Sequence, residues 1–136
     1  MRVALIAFLA LGACSHPPPE EPPPPQLPQR AGVDETVAAR AEGVRFRGEG
    51  DGFVLDILDQ EMRLKFTQTG ETHVFPTPEP RYPRWNGSSY DTHNGEHGLY
   101  VEIRDDRPCE PGVPAIRVRF GAQGEGQQLT GCARRF

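Results

Sequence analysis

Apolar residues recur at every second position from Val44 onward, and this period limits what the chain can fold into more than any other feature. The pattern is clearest in four segments: GFVLDILD (52–59), MRLKF (62–66), LYVEIR (99–104) and AIRVRF (115–120). It is shorter in four others: VRFR (44–47), THVF (72–75), SSYDT (88–92) and LTGCA (129–133). Such alternation is typical of β-strands that bury one face, and no window of ten or more residues here has a clean helical period.

Turn-forming residues separate these segments. They lie at Asp59-Gln60-Glu61, Thr69-Gly70, Asn94-Gly95 and along 121–126. About eight short strands joined by glycine-rich turns favour an antiparallel barrel or sandwich. A barrel also removes the exposed edges that an open eight-stranded sheet would leave. We therefore predict an all-β fold, a small antiparallel β-barrel.

The N-terminus has the organisation of a bacterial lipoprotein signal. Met1-Arg2 precedes an apolar run at 4–11, which is too short to span a bilayer but suits an export signal. Leu11-Gly12-Ala13-Cys14 then resembles a lipobox, in which small residues precede the cysteine that receives lipid. The resemblance implies a signal peptide at 1–13 and lipidation at Cys14. The alternative is an ordinary secretory signal with a chance cysteine.

Proline dominates the segment PPPEEPPPPQLP (17–28), which holds about half of the fifteen prolines in the chain. Because proline fixes φ and removes a backbone donor, this segment is expected to form an extended polyproline II rod. We interpret 14–41 as a lipidated N-terminus and linker that spaces the domain from the membrane, and 42–136 as the globular β domain. The stretch VDETVAARA (33–41) is compatible with a short helix or with more linker.

The remaining cysteines form an even pair in an exported chain. With Cys14 assigned to lipid, Cys109 and Cys132 are left to each other, and a structural disulfide is expected. They do not form a CxxC motif and have no histidine nearby in sequence, so the pattern does not indicate a redox or metal role.

The charge balance excludes one class of partner. The formal net charge is −4 at pH 7, whereas nucleic-acid binding requires a basic surface. The sequence also lacks a Gly-x-Ser-x-Gly nucleophile motif, and its glycine-rich stretches lack the strand-to-helix setting of a phosphate loop. We therefore expect no enzymatic activity, no cofactor and no nucleic-acid partner.

Two sequence features could carry a site. His93 and His97 have metal-like spacing, but Asn94-Gly95 between them indicates a turn and further ligands are lacking, so no metal site is predicted. The loop PEPRYPRWNGSSY (78–90) holds the only tryptophan. Aromatic and arginine side chains interleaved in this way suit a binding surface. The alternative is that the aromatic rings plug one end of the barrel. The candidate binding residues are Arg81, Tyr82, Arg84, Trp85 and Tyr90.

A further pattern lies in the C-terminal half, at Cys109, Val118, Leu129, Gly131 and Cys132. It resembles the C…L-x-G-C ending of a family of small bacterial envelope lipoproteins, over roughly 46–133. Near the first strand, Gly50-Asp51-Gly52-Phe53 departs from the family's Asn-Glu-Pro-Phe-Trp. Neighbouring groups are the META-type stress proteins and the membrane-bound inhibitors of c-type lysozyme. The resemblance implies a small β fold in the envelope, and the matching residues are structural ones.

Taken together, these features predict a lipid-anchored envelope protein with a non-enzymatic binding domain. The expected ligand is a protein or a peptidoglycan component, and a lysozyme-inhibitor-like module is one form of this hypothesis. The alternative is an envelope-stress or structural accessory lipoprotein without a small-molecule ligand. Ser15 follows Cys14 at the position where an aspartate favours inner-membrane retention in enteric bacteria, so the lipoprotein resemblance implies the periplasmic face of the outer membrane.

Overall fold

The computed structural model describes residues 31–122 and 126–136. The predicted signal peptide, Cys14 and the proline-rich segment lie outside them. The described chain forms one helix followed by eight strands. These are α1 (Ala31–Ala41), β1 (Val44–Gly50), β2 (Phe53–Leu58), β3 (Glu61–Phe66), β4 (Thr72–Pro76), β5 (Gly87–His93), β6 (Gly98–Glu110), β7 (Val113–Gly121) and β8 (Gln127–Arg135). The predicted all-β class and all eight predicted strands are confirmed.

The eight strands form one antiparallel sheet in the order β4-β3-β2-β1-β8-β7-β6-β5. The sheet curls into a nearly closed barrel, with β4 and β5 at the seam. Two side chains cross that seam to backbone carbonyls. Thr92 Oγ1 donates to the Pro76 carbonyl at 2.7 Å, and Asn94 Nδ2 donates to the Val74 carbonyl at 3.2 Å. Side-chain hydrogen bonds thus join the two edge strands at this seam.

The barrel interior is filled by the alternate residues that the sequence pattern selects. The fully buried large side chains are Phe53, Leu55, Ile57, Met62, Leu64, Phe75, Leu99, Val101, Ile103, Ile116 and Val118. Phe46, Phe66 and Phe120 pack against this core but are only partly buried. Removal of this apolar surface from water is the main favourable term in folding, and it fixes which face of each strand points inward.

Consecutive antiparallel strands place their connections alternately at the two ends of the barrel. The connections β1–β2, β3–β4, β5–β6 and β7–β8 lie at one end, and β2–β3, β4–β5 and β6–β7 lie at the other. The first hairpin turns through Asp51-Gly52, where Gly52 has φ +81°. That backbone conformation is strained for side chains other than glycine, asparagine or aspartate.

The helix α1 packs on the barrel. Ala39 is buried together with Val44 and Leu58, and Phe136 packs against the same cluster. On the outer face, Arg47 holds Asp56 through two hydrogen bonds of 2.6 and 2.9 Å, and it also reaches Glu35 of the helix at 3.2 Å. Of the two interpretations open for 33–41, the helix is the one the structure adopts. The helix of the described residues, α1, is neither long nor apolar enough to cross a bilayer.

The predicted disulfide is confirmed. Cys109 and Cys132 are joined, with their Cα atoms 5.6 Å apart and their positions separated by 23 in sequence. Cys109 lies on the exposed extension of β6, and Cys132 lies on β8 opposite Ala115 of β7. The bond therefore ties the outer part of the β6–β7 hairpin to the last strand.

Candidate functional site

A cavity of about 510 Å³ lies at the end of the barrel that holds the β1–β2, β3–β4, β5–β6 and β7–β8 connections. We call it the mouth. Its volume falls within the range typical of small-molecule sites, about 300–1,000 Å³. The lining residues are Asp51, Gly52, Phe66, Gln68, Thr69, Glu71, His73, His97, Phe120, Gln127 and Leu129.

Strand geometry explains how these side chains come together. Phe66 is the last residue of β3, His73 is the second residue of β4, and Phe120 is the last but one of β7. His97 directly precedes β6, and Gln127 opens β8 opposite Phe120. All five positions are strand ends that meet the same rim of the barrel, although they are far apart in sequence.

Four aromatic rings form a contiguous wall of the mouth. The imidazole of His97 stacks on the Phe120 ring at 4.9 Å between centroids, with the two planes 20° apart. His73 lies 4.6 Å from Phe120 and 4.9 Å from His97. Phe66 meets Phe120 edge to face at 5.3 Å. Aromatic pairs of this kind prefer these geometries, so the wall is held by mutual packing of its rings.

The two histidines of the mouth differ in their polar contacts. His73 Nε2 lies 2.9 Å from Glu71 Oε1, which orients its ring. His97 is positioned through its backbone, since its N–H donates to Asn94 Oδ1 at 3.0 Å, while its Nδ1 is buried without a hydrogen-bond partner. An unpaired buried polar atom costs free energy, and native structures tolerate such atoms mainly at functional sites.

The loops around the mouth are acidic. Asp51, Glu71 and Glu96 lie in the first three connections, and the described residues of the four connections include no lysine or arginine. The connections at the opposite end carry Arg81 and Arg84 together with Asp59 and Glu79, so their charges balance. The two ends of the barrel therefore differ in charge.

The predicted binding residues of the loop 78–90 are not brought together into one surface. Tyr90 lies in the core at 6% exposure, and burial raises the pKa of its phenol above the ordinary value. Tyr82 is exposed at 78%, and Arg81 and Arg84 are also exposed. The backbone of Arg81 pairs with Ser89 through two hydrogen bonds of 2.9 Å, which fixes the loop against β5.

Trp85 has a packing role in this loop. Its ring lies beneath the Arg104 guanidinium, 4.5 Å from ring centroid to Cζ, and Arg104 in turn holds Asp106 at 2.7 and 3.0 Å. A side chain at Gly87 would meet the Trp85 ring at 2.7 Å. The indole thus covers a glycine of β5 on the outside of the sheet, and it does not plug the barrel interior.

The pair His93 and His97 does not form a site. His93 is exposed on β5 and does not line the mouth, whereas His97 faces His73 of β4. Within residues 31–122 and 126–136, no three or more His, Cys, Asp or Glu side chains are grouped as they would be to hold a metal ion.

No family model, curated protein or solved structure matches the chain. The functional interpretation of the mouth therefore rests on its residues and their geometry.

Sequence reasoning missed the mouth, but one signal pointed to it. Phe66 and Phe120 both end an alternating segment on its buried face, and each is followed by a turn. In an eight-stranded meander, β3 and β7 end at the same rim. Two inward aromatic rings at those positions are therefore expected to meet.

Proposed function

We propose that this protein is a lipid-anchored, non-enzymatic binding protein of the bacterial cell envelope, and that its ligand enters the mouth. The observation that carries the proposal is the cavity itself. It combines a wall of four aromatic rings with polar side chains at the rim, as small-molecule sites do. A single disulfide in a small domain is also typical of exported proteins.

The proposed lipid anchor determines the compartment of the mouth and its distance from the membrane. Lipid on Cys14 would hold the chain on the periplasmic face of the outer membrane, and a polyproline rod over 17–28 would extend roughly 37 Å. The domain would then sample the periplasm beside the membrane. Its partner would be a soluble or cell-wall component within that reach.

Binding fits the polar groups of the mouth better than catalysis does. The only hydroxyl among the described lining residues is that of Thr69, and its Oγ1 accepts the Glu71 backbone N–H at 3.2 Å within a turn. Nucleophilic catalysis needs a hydroxyl, thiol or amine that is activated by a neighbouring base. His73 contacts Glu71 and packs among the rings, which supports a role in recognition.

A blocking variant tests the proposal. Gln127 and Gln128 are neighbouring exposed residues on β8 that point to opposite faces, and only Gln127 lines the mouth. In a crosslinking pull-down from membranes with the full chain, Gln127→Trp should reduce the captured ligand by at least tenfold. Gln128→Trp is the matched control and should capture as much as the unmodified chain. A lysozyme-inhibitor-like module would capture a glycosidase in this assay.

Three results would contradict the proposal. Equal capture by the unmodified chain and Gln127→Trp would remove the mouth as the binding site. A Cys14→Ala chain that still fractionates with membranes and still takes up labelled palmitate would remove the anchor. If Tyr82→Ala abolishes capture and Gln127→Trp does not, the β4–β5 loop is the binding surface.

A further inference from the structure

We infer that the ligand of the mouth presents an organic ammonium group, either quaternary or alkylated. This inference rests on the proposed function, because it names the chemistry of the ligand for the same cavity. It is drawn from the charges and the rings that line the mouth.

The charged residues of the mouth have one sign. Asp51 and Glu71 line it, and Glu96 lies in the neighbouring connection beside His97. None of the described lining residues is a lysine or an arginine. A concave site lined by one sign of charge concentrates ligands of the opposite sign. An anionic ligand would face two carboxylates with no lysine or arginine among the described lining residues, so this lining selects against it.

The aromatic wall supplies a surface that a soft cation prefers. Phe66 and Phe120 both line the mouth with their ring centroids 5.3 Å apart, so one ammonium group at the wall can contact both rings. Attraction of a cation to a ring face extends to about 6 Å and is strongest where water is excluded. Alkylated ammonium groups combine a diffuse positive charge with an apolar shell and are recognised in aromatic cages in this way.

A small hydrated metal ion fits less well. The two carboxylates of the lining lie on different connections, and Glu71 Oε1 already lies 2.9 Å from His73 Nε2. Hard cations require several oxygen ligands around one point. A neutral sugar could use the amides of Gln68 and Gln127, and it is the competing class of ligand.

The test compares choline with 3,3-dimethylbutan-1-ol, its neutral isostere, in which carbon replaces the charged nitrogen. Calorimetric titration of the full chain should give a dissociation constant for choline at least tenfold lower than for the isostere. Choline binding should weaken as ionic strength rises, because salt screens the carboxylates. N-acetylglucosamine serves as the neutral sugar probe and should not bind measurably.

Two conservative variants locate the charge. Asp51→Asn should weaken choline binding about three- to tenfold, and asparagine before Gly52 suits the same hairpin turn. Glu96→Gln removes an equal charge at the same end from a residue that does not line the mouth, and it should change the affinity less than twofold.

The outcomes separate this inference from the proposed function. If the isostere or N-acetylglucosamine binds as tightly as choline, or if choline does not bind, the ammonium inference is overturned. The mouth then stands as a binding site provided that Gln127→Trp still reduces capture from membranes. If Glu96→Gln weakens choline binding as much as Asp51→Asn does, the cation is attracted by the overall negative charge at this end of the barrel and is not bound in the mouth.

Discussion

Replacing Cys109 and Cys132 together by serine should lower the free energy of unfolding by roughly 3 kcal/mol. The disulfide closes a loop between positions that are 23 apart in sequence, and it constrains the unfolded chain. It also ties down an exposed segment. The described residues 106–112 are exposed, and the pairing of β6 with β7 becomes irregular beyond Arg104. Chemical denaturation of the full chain, followed by circular dichroism, measures the loss.

Reduction of the unmodified chain provides the matched control for the serine variant. Its midpoint of unfolding after reduction should fall to that of the double variant, because both remove the same covalent link. A difference below about 1 kcal/mol between the oxidised chain and the variant would contradict the prediction. Free thiols at both positions in the exported protein would contradict the disulfide itself.

Gly131→Ala should be comparably destabilising, by about 3 kcal/mol, through a clash that the backbone cannot relieve. Gly131 of β8 pairs with Gly50 of β1. A Cβ at Gly131 would collide with the Glu49 carbonyl oxygen and lie 2.6 Å from the carbonyl carbon and 2.9 Å from Gly50 Cα. All three atoms belong to the backbone of β1 and cannot rotate away as a side chain could. The added methyl group therefore forces β1 and β8 apart, and this pairing joins strands β1–β4 to strands β5–β8.

Gly98→Ala is the control for this effect. Gly98 lies at the start of β6, and a Cβ there meets only the Gly121 carbonyl oxygen, at an ordinary 3.6 Å. Its effect on the free energy of unfolding should stay within about 0.5 kcal/mol. If thermal unfolding shows the two variants to be equally stable, the close approach of β1 and β8 is not what requires glycine at Gly131.

Most of the barrel could be predicted from the sequence because its determinants are local. A period of two sets which residues of a strand are buried, and short glycine turns set where strands end. The weak segments THVF, SSYDT and LTGCA became β4, β5 and β8 for the same reason as the strong ones. The disulfide could also be predicted, because the chain has three cysteines and the assignment of Cys14 to lipid leaves Cys109 and Cys132 as a pair.

The mouth could not be read from the sequence because it depends on contacts between distant strands. His73 and His97 are brought to within 4.9 Å only by closure of the sheet between β4 and β5. Sequence spacing paired His97 with His93 instead, but His93 lies exposed on its strand. Tyr90 and Tyr82 both belong to the aromatic segment 78–90. Tyr90 lies on β5 with its side chain in the core, whereas Tyr82 precedes the strand and is exposed.

The most direct test of the mouth is to observe which rings a ligand touches. The full chain, labelled with ¹³C and ¹⁵N, is titrated with detergent-solubilised envelope extract, and its aromatic signals are followed by NMR. Ligand binding in the mouth predicts that the ring signals of His73, His97 and Phe120 shift together while the Trp85 indole signal stays in place. A shift of the Trp85 signal with the histidine signals unchanged would contradict it and would place the binding surface at the opposite end of the barrel.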